Sequence, residues 1–256
     1  LQEKARALLG VELPQEMIEK RDPYFPLDFS RAPKLDAIYI SYLVFRLDYY
    51  GAVLERLIRY HAEHGTQIRI VVADVVTLEK DRKSLDELQF DFPGNVSVKY
   101  ARVDGAAIKS FPDWVNQFHR AIHMKIFVTY SVSDPASNIA VIGGRNIHDG
   151  FVFKTASNLA SFPGLVQYGN GKDSDETFCR WTDFELAIKD RSVVKTLISQ
   201  FHTVFDNDNN EQLFRNYSIN RKNGKVVGDE FFNGDKPMVR HFISVPYRDG
   251  QELESY

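Results

Sequence analysis

Ala37-Ile-Tyr-Ile-Ser-Tyr-Leu-Val-Phe45 and, a helix-length later, Gln67-Ile-Arg-Ile-Val-Val-Ala-Asp74 decide the fold. Both runs are rich in β-branched and aromatic residues and nearly continuous in apolar character, the pattern of strands buried on both faces. Between them Val53, Leu54, Leu57, Ile58 and His61 recur at helical spacing. Asp48 stands where it can cap the start of that helix and Gly65 where it can end it. Strand, helix and strand of these lengths make a βαβ unit, so the sheet is parallel here and the chain is of the α/β class.

Working outward, residues 1–14 carry Leu8, Leu9 and Val11 among charges and read as a short amphipathic helix. Residues 21–33, with Pro23, Pro26 and Pro33, read as an extended connection. Residues 78–90 are charged and read as helix or loop, and 96–103 as a strand. Two further strands, 122–130 and 138–143, are joined by a turn marked by Asp134-Pro135. Residues 151–178 are rich in Gly, Ser and Asn without periodicity, a length of loop that usually has a function or moves. A strand over 180–188 and a helix over 191–205 follow, the helix with Val193, Val194, Leu197, Ile198 and Phe201 on one face. Residues 220–237, with turns at Asn223-Gly224 and Asn233-Gly234, read as a linker, and Met238 opens a new apolar strand.

The 256 residues are 43% hydrophobic and 26% charged, which excludes a disordered chain. A net charge of −3 gives no global field toward nucleic acid or an anionic membrane. A single cysteine, Cys179, excludes an internal disulfide and a Cys-rich metal site, and reads as an inert, partly buried thiol. The longest apolar runs fall far short of the roughly 18 residues that a membrane span needs. No signal-peptide pattern opens the chain, and the sequence does not fix a compartment.

The chemistry concentrates in His123-Met-Lys125 and Gly143-Gly-Arg-Asn146. On a strand, His123 and Lys125 leave the same face. An imidazole beside an ammonium is a poor structural pair but a good anion site, with the imidazole able to act as nucleophile or proton carrier. Glycines at 143 and 144 allow a ligand close to the backbone, and Asn146 adds an amide donor. Such groups suit a phosphoryl group, whose transfer is catalysed by positioning and charge stabilisation. Other patterns read as structural. His119 and His123 are spaced as zinc ligands on a helix, but a strand at His123 destroys that geometry. The Asp206–Asn210 run has Glu211 where a calcium loop needs Gly. Gly169-Asn-Gly-Lys172 lacks P-loop spacing, and Asn95 and Asn216 match glycosylation acceptors of a kind frequent by chance.

At these residues the sequence resembles the phospholipase D superfamily, whose signature is His-x-Lys, an Asp, then Gly-Gly-x-Asn. Residues 39–74 look like its opening strand–helix–strand, and Trp181-Thr-Asp183 like a segment of its cardiolipin synthase-like branch. Tyr130 occupies the position of the signature Asp, and Asp134 is the nearest acid in the longer hairpin turn. The resemblance implies a phospholipase D-like α-β-α sandwich, a mixed sheet flanked by helices. It divides the chain into an N-terminal helix and connection (1–34), a first half (35–219), a linker (220–237) and the start of a second, homologous half (238–256). It implies a phosphodiesterase or phosphatidyltransferase acting on phospholipids, with His123 forming a phosphohistidine and Lys125, Gly143, Gly144 and Asn146 holding the phosphate. Asp183 is the candidate for the acid that fixes the histidine tautomer, and Asp134 the candidate for the signature Asp. No metal and no cofactor is expected. The second histidine is expected from a C-terminal half of the same protein or from a symmetry-related copy. The aromatic residues Phe111, Trp114, Phe118, Phe151, Phe153 and Phe162 are candidates to line an acyl-chain path or to make peripheral membrane contact, and nucleic acid is not expected as a partner. The alternatives are a nuclease of the same superfamily, which needs a basic groove from Lys109, Arg120, Arg145 and Lys154, and a degenerate lipid-binding member.

Overall fold

The computed structural model describes residues 1–101 and 121–206. Its single sheet contains β1 (Ala37–Tyr42), β2 (Gln67–Ala73), β3 (Val96–Ala101), β4 (Ile126–Tyr130), β5 (Ile139–Gly143) and β6 (Glu185–Ile188). The strand order is β3-β2-β1-β4-β5-β6. β1, β2 and β3 pair in parallel, while β4, β5 and β6 pair antiparallel. The connections dictate this mixture. Helix α3 (Tyr49–Glu63) returns the chain from β1 to β2, and α4 (Glu79–Asp91) returns it from β2 to β3. The short link after Tyr130 leaves room only for a hairpin.

Alternate residues of each strand feed two separate cores, as strand geometry requires. On one face Leu8, Leu54, Leu57 and Leu88 pack against Ile38, Ile40, Phe127 and Val141. That face is covered by α1 (Gln2–Leu9), α2 (Gln15–Lys20), α3 and α4. On the other, Val194, Leu197 and Phe201 of α5 (Arg191–Phe205) pack against Ile126, Val128, Ala140 and Ile142. The result is an α-β-α sandwich.

Several sequence expectations shift in detail. The N-terminal segment is two short helices, because Gly10 leaves α1 in a left-handed conformation with φ 77°. β1 stops at Tyr42, and Phe45 makes only an isolated bridge to Ile147. β4 starts at Ile126, so His123 and Lys125 precede the strand. β6 is shorter than expected, and Cys179 is exposed rather than partly buried. The linker 220–237 and the segment from Met238 lie outside the described residues.

The long segment 151–178 is irregular yet packed, with Leu159, Leu165 and Val166 buried. A buried polar cluster fastens it to the end of the sheet. Asp48 caps α3 by accepting from the Gly51 amide at 3.0 Å, and also accepts from the Asp149 amide and the Tyr168 hydroxyl, both at 2.6 Å. Asp149 accepts from the Tyr50 amide at 2.9 Å and from the Ser157 hydroxyl. Next to them, Arg46 pairs with Asp81, and its Nε reaches Glu176 at 2.7 Å. Burial, with the Asp149 carboxyl alongside, pushes the Asp48 carboxyl up to about 8.

A carboxyl raised in this way stabilises the fold fully only below its unfolded value near 4, and the contribution is lost as pH rises through about 8. Asp149→Asn removes the neighbouring charge. Its unfolding free energy should therefore fall less than wild type between pH 5 and 8, against an upper slope of about 1.4 kcal/mol per pH unit for one proton. Denaturant unfolding at several pH values checks this, and parallel curves for the two proteins would contradict it.

Candidate active site

His123 and Lys125 sit where the chain enters β4 beside the end of β1, in the register that places Ser41 opposite Ile126. Ile122 and Met124 point into the core under α5 and hold this segment down. His123 is exposed, whereas Lys125 is buried at 5% exposure. The Lys125 ammonium turns back on its neighbour, donating to His123 Nδ1 at 2.9 Å and to the His123 carbonyl at 3.1 Å. With Nδ1 occupied as acceptor, the imidazole carries its proton on Nε2.

Gly143 ends β5, antiparallel to β4, so it returns to the end of the sheet where β4 begins. The structure gives the two glycines a different use from the one the sequence suggests. A Cβ at Gly143 would lie 2.2 Å from the Phe184 carbonyl oxygen, and one at Gly144 would lie 2.0 Å from Asp183 Oδ2. The missing side chains admit the lead-in to β6 and the Asp183 carboxylate rather than leaving open space for a ligand. The Gly144 amide donates to the Phe184 carbonyl at 3.1 Å. Arg145 Nε donates to the Asp183 carbonyl at 2.7 Å. Asn146 is buried, and its Oδ1 accepts from the Val44 amide at 3.2 Å, which leaves the two amide hydrogens on Nδ2 outside that bond.

The charges agree with this geometry. Although His123 is exposed, partial desolvation of its ring lowers its pKa and Lys125 lowers it further, while Asp183 opposes both. Burial pushes Lys125 down to about 8, again opposed by Asp183. The neutral imidazole is thus held beside an ammonium that, among the described residues, only the Asp183 charge supports against burial. An oxyanion arriving here would meet a cation that gains by pairing with it.

Asp134 lies elsewhere. It caps a short 3-10 turn (Pro135–Ser137) at the far end of the β4–β5 hairpin, accepting from the Ala136 amide at 3.2 Å and from the Ser137 hydroxyl. The length of β4 separates it from His123, about 17 Å at the usual rise per residue. Among the described residues, Asp183 is the acid whose charge acts on His123 and Lys125. Other histidines among the described residues are engaged apart from this site. His61 is buried on the Leu8 carbonyl at 2.7 Å, His64 bonds the Tyr60 carbonyl at 2.7 Å, and His148 packs under Tyr168. His202 on α5 stands beside Tyr39 and Asp206. His119 and His241 lie outside the described residues. No group of three or more His, Cys, Asp or Glu with metal-binding geometry occurs among the described residues.

The aromatic residues also sort differently. Phe153 packs on Tyr49 beneath the Arg21 guanidinium, and Phe162 packs on Tyr24. Phe111, Trp114, Phe118, Lys109 and Arg120 lie outside the described residues. The exposed apolar side chains near the site are instead Trp181, Phe184 (67% exposed) and Leu186 (50%), which flank Asp183. No helix among the described residues is long and apolar enough to cross a membrane.

No protein-family model matches the chain, and no curated protein matches it. Among solved structures, it is similar to a polyphosphate kinase from Porphyromonas gingivalis at 14% identity and a TM-score of 0.38. That alignment covers 70% of this chain and 22% of the kinase, so the chain spans about a fifth of the kinase's length.

The two glycines should respond differently to a methyl group. Gly144→Ala displaces only a carboxylate, so the fold should persist while the His123 pKa falls as Asp183 is pushed away. Gly143→Ala meets backbone and should destabilise by about 1–3 kcal/mol as β6 peels back. Denaturant unfolding and histidine NMR titration distinguish these outcomes. Equal stability of the two variants and an unmoved His123 would refute the assignment of the glycines.

Proposed function

We propose that the chain carries half of a phosphodiester-cleaving or phosphatidyl-transferring active site that acts on phospholipids through a phosphohistidine. The observation that carries this reading is the Lys125 ammonium on His123 Nδ1, with the Asp183 charge acting on both groups. In the proposed reaction, a phosphodiester oxygen draws Lys125 away from His123. The freed Nδ1 takes the ring proton and shares it with Asp183, which exposes the Nε2 lone pair. Nε2 attacks phosphorus, and the P–O bond to the leaving alcohol breaks. Lys125 and the Asn146 amide neutralise the non-bridging oxygens.

The leaving oxygen needs a proton from the side opposite the attack, because attacker and leaving group lie roughly in line. His123 cannot supply both functions. The proposal therefore assigns the proton donor to a histidine of another unit, either a further part of the same protein or a second copy. Water or an acceptor alcohol, deprotonated by that histidine, then breaks the P–N bond. The lipid class is supported by the exposed apolar side chains of Trp181, Phe184 and Leu186 beside Asp183, and the net charge of −3 disfavours a nucleic acid in its place.

The test is turnover of phosphatidylglycerol and phosphatidylcholine vesicles. His123→Ala should lose at least about a thousandfold in rate while unfolding cooperatively, since the exposed ring contributes little to the core. EDTA should leave the rate nearly unchanged. A large loss restored by Zn²⁺, Mg²⁺ or Ca²⁺ would contradict the mechanism. DNA cleavage with a steep salt dependence of binding, in place of lipid turnover, would favour a nuclease. Full turnover by a chain that light scattering shows to be monomeric would defeat the assignment of the proton donor to another unit.

A further inference from the structure

The side chain of Lys4 on α1 is 1% exposed and pairs with Glu185 of β6, itself 13% exposed, across 181 positions of sequence. A lysine near a helix start normally extends its flexible stem to water. Lys4 turns inward instead, with Nζ 5.6 Å from the Tyr42 ring centroid and 5.9 Å from that of Tyr50. Burial opposes its charge and Glu185 favours it. A buried pair of this kind contributes little net stability, so its best-attested use is to fix an arrangement.

The strand it reaches is short: β6 has four residues and, among the described residues, pairs with β5 alone, and Leu186 and Ala187 are exposed. Yet its lead-in carries Asp183, which rests against Gly144 with no room for a methyl group. Arg145, whose charge is felt at Lys4, grips the Asp183 carbonyl through Nε. Two cations thus hold one short edge strand, one at Glu185 and one at Asp183.

We propose that Lys4, through its buried ion pair with Glu185, is a positioning residue that sets the Asp183 carboxylate against His123 and Lys125. The inference rests on the reading of His123 and Lys125 as the reactive pair. It assigns to the N-terminal helix, outside the βαβ unit and the hairpin, a part in the electrostatics of the site.

His123 reports on this directly, because among the described residues the charges that act on it are those of Lys125 and Asp183, and Lys4 is not among them. A change in its titration caused by replacing Lys4 therefore reads the position of Asp183. The variants are Lys4→Met, Lys4→Met/Glu185→Met, which leaves no unpaired buried charge, and Asp183→Asn. The full chain is titrated by NMR with labelled histidine, and vesicle turnover is measured in parallel. The double variant should unfold cooperatively and lower the His123 pKa by about half a unit or more, toward the Asp183→Asn value. Vesicle turnover should lose kcat with KM nearly unchanged. An unmoved His123 in the double variant, with a lowered value in Asp183→Asn, would overturn the proposal and leave the reactive pair standing. An unmoved His123 in both would overturn the reactive pair as well. A lowered His123 in both, without vesicle turnover by wild type, would uphold the positioning role and remove the lipid substrate. Loss of cooperative unfolding in the double variant would make the pair a requirement of the fold and defeat the proposal.

Discussion

The site depends on how closely the edge strand can approach β5. Gly143 and Gly144 lack the atoms that would keep it away, and the approach reaches 2.0–2.2 Å when measured to the Cβ positions they do not fill. Close packing turns this absence into a constraint, since neighbours without slack cannot relax independently. Asp183 arrives beside His123 and Lys125 because β6 can lie flush there. Burial drives the pKa values of both groups down, and the Asp183 charge limits the fall.

Buried charge is used in two ways. Around Asp48, Asp149, Arg46, Asp81 and Glu176 it joins the irregular 151–178 segment to the ends of β1 and β5 by hydrogen bonds that an apolar interface could not direct. In that cluster burial, and then the Asp149 carboxyl alongside, pushes the Asp48 carboxyl up to about 8. At Lys125 the balance is reversed. A cation is kept in a half-dry environment with incomplete compensation, the condition in which an anionic ligand is favoured.

The sequence made the framework legible where local pattern and tertiary partner agreed. The two β-branched runs emerge as the strands Ala37–Tyr42 and Gln67–Ala73, the first three residues shorter than its apolar run, with the helical repeat and the Asp48 cap between them as read. The start of β4 did not. Ile122, Met124 and Ile126 alternate as a strand would, but the ladder stops where β1 ends, and no periodicity in one segment reports the length of its partner. Asp134 was ambiguous for a similar reason: the Asp-Pro pair signals a turn as strongly as an acid in the motif position, and its carboxylate is spent on the turn. The motif spacing singles out His123, Lys125, Asn146 and Asp183 as candidates, although it gives no hint that the glycines make room for the lead-in to β6. Lys4 left no local signal at all, because its partner lies at the opposite end of the described chain.

The central claim is that His123 is a nucleophile toward phosphorus, and the most direct measurement is capture of its adduct. Short-chain phosphatidylglycerol would be mixed with the protein, the reaction stopped with base, and the peptides analysed by mass spectrometry under conditions that preserve acid-labile P–N bonds. The account predicts a phosphatidyl group on His123 that disappears on acid treatment and is absent from His123→Ala. An adduct confined to another residue, or turnover at full rate with no adduct at any time after mixing, would contradict it.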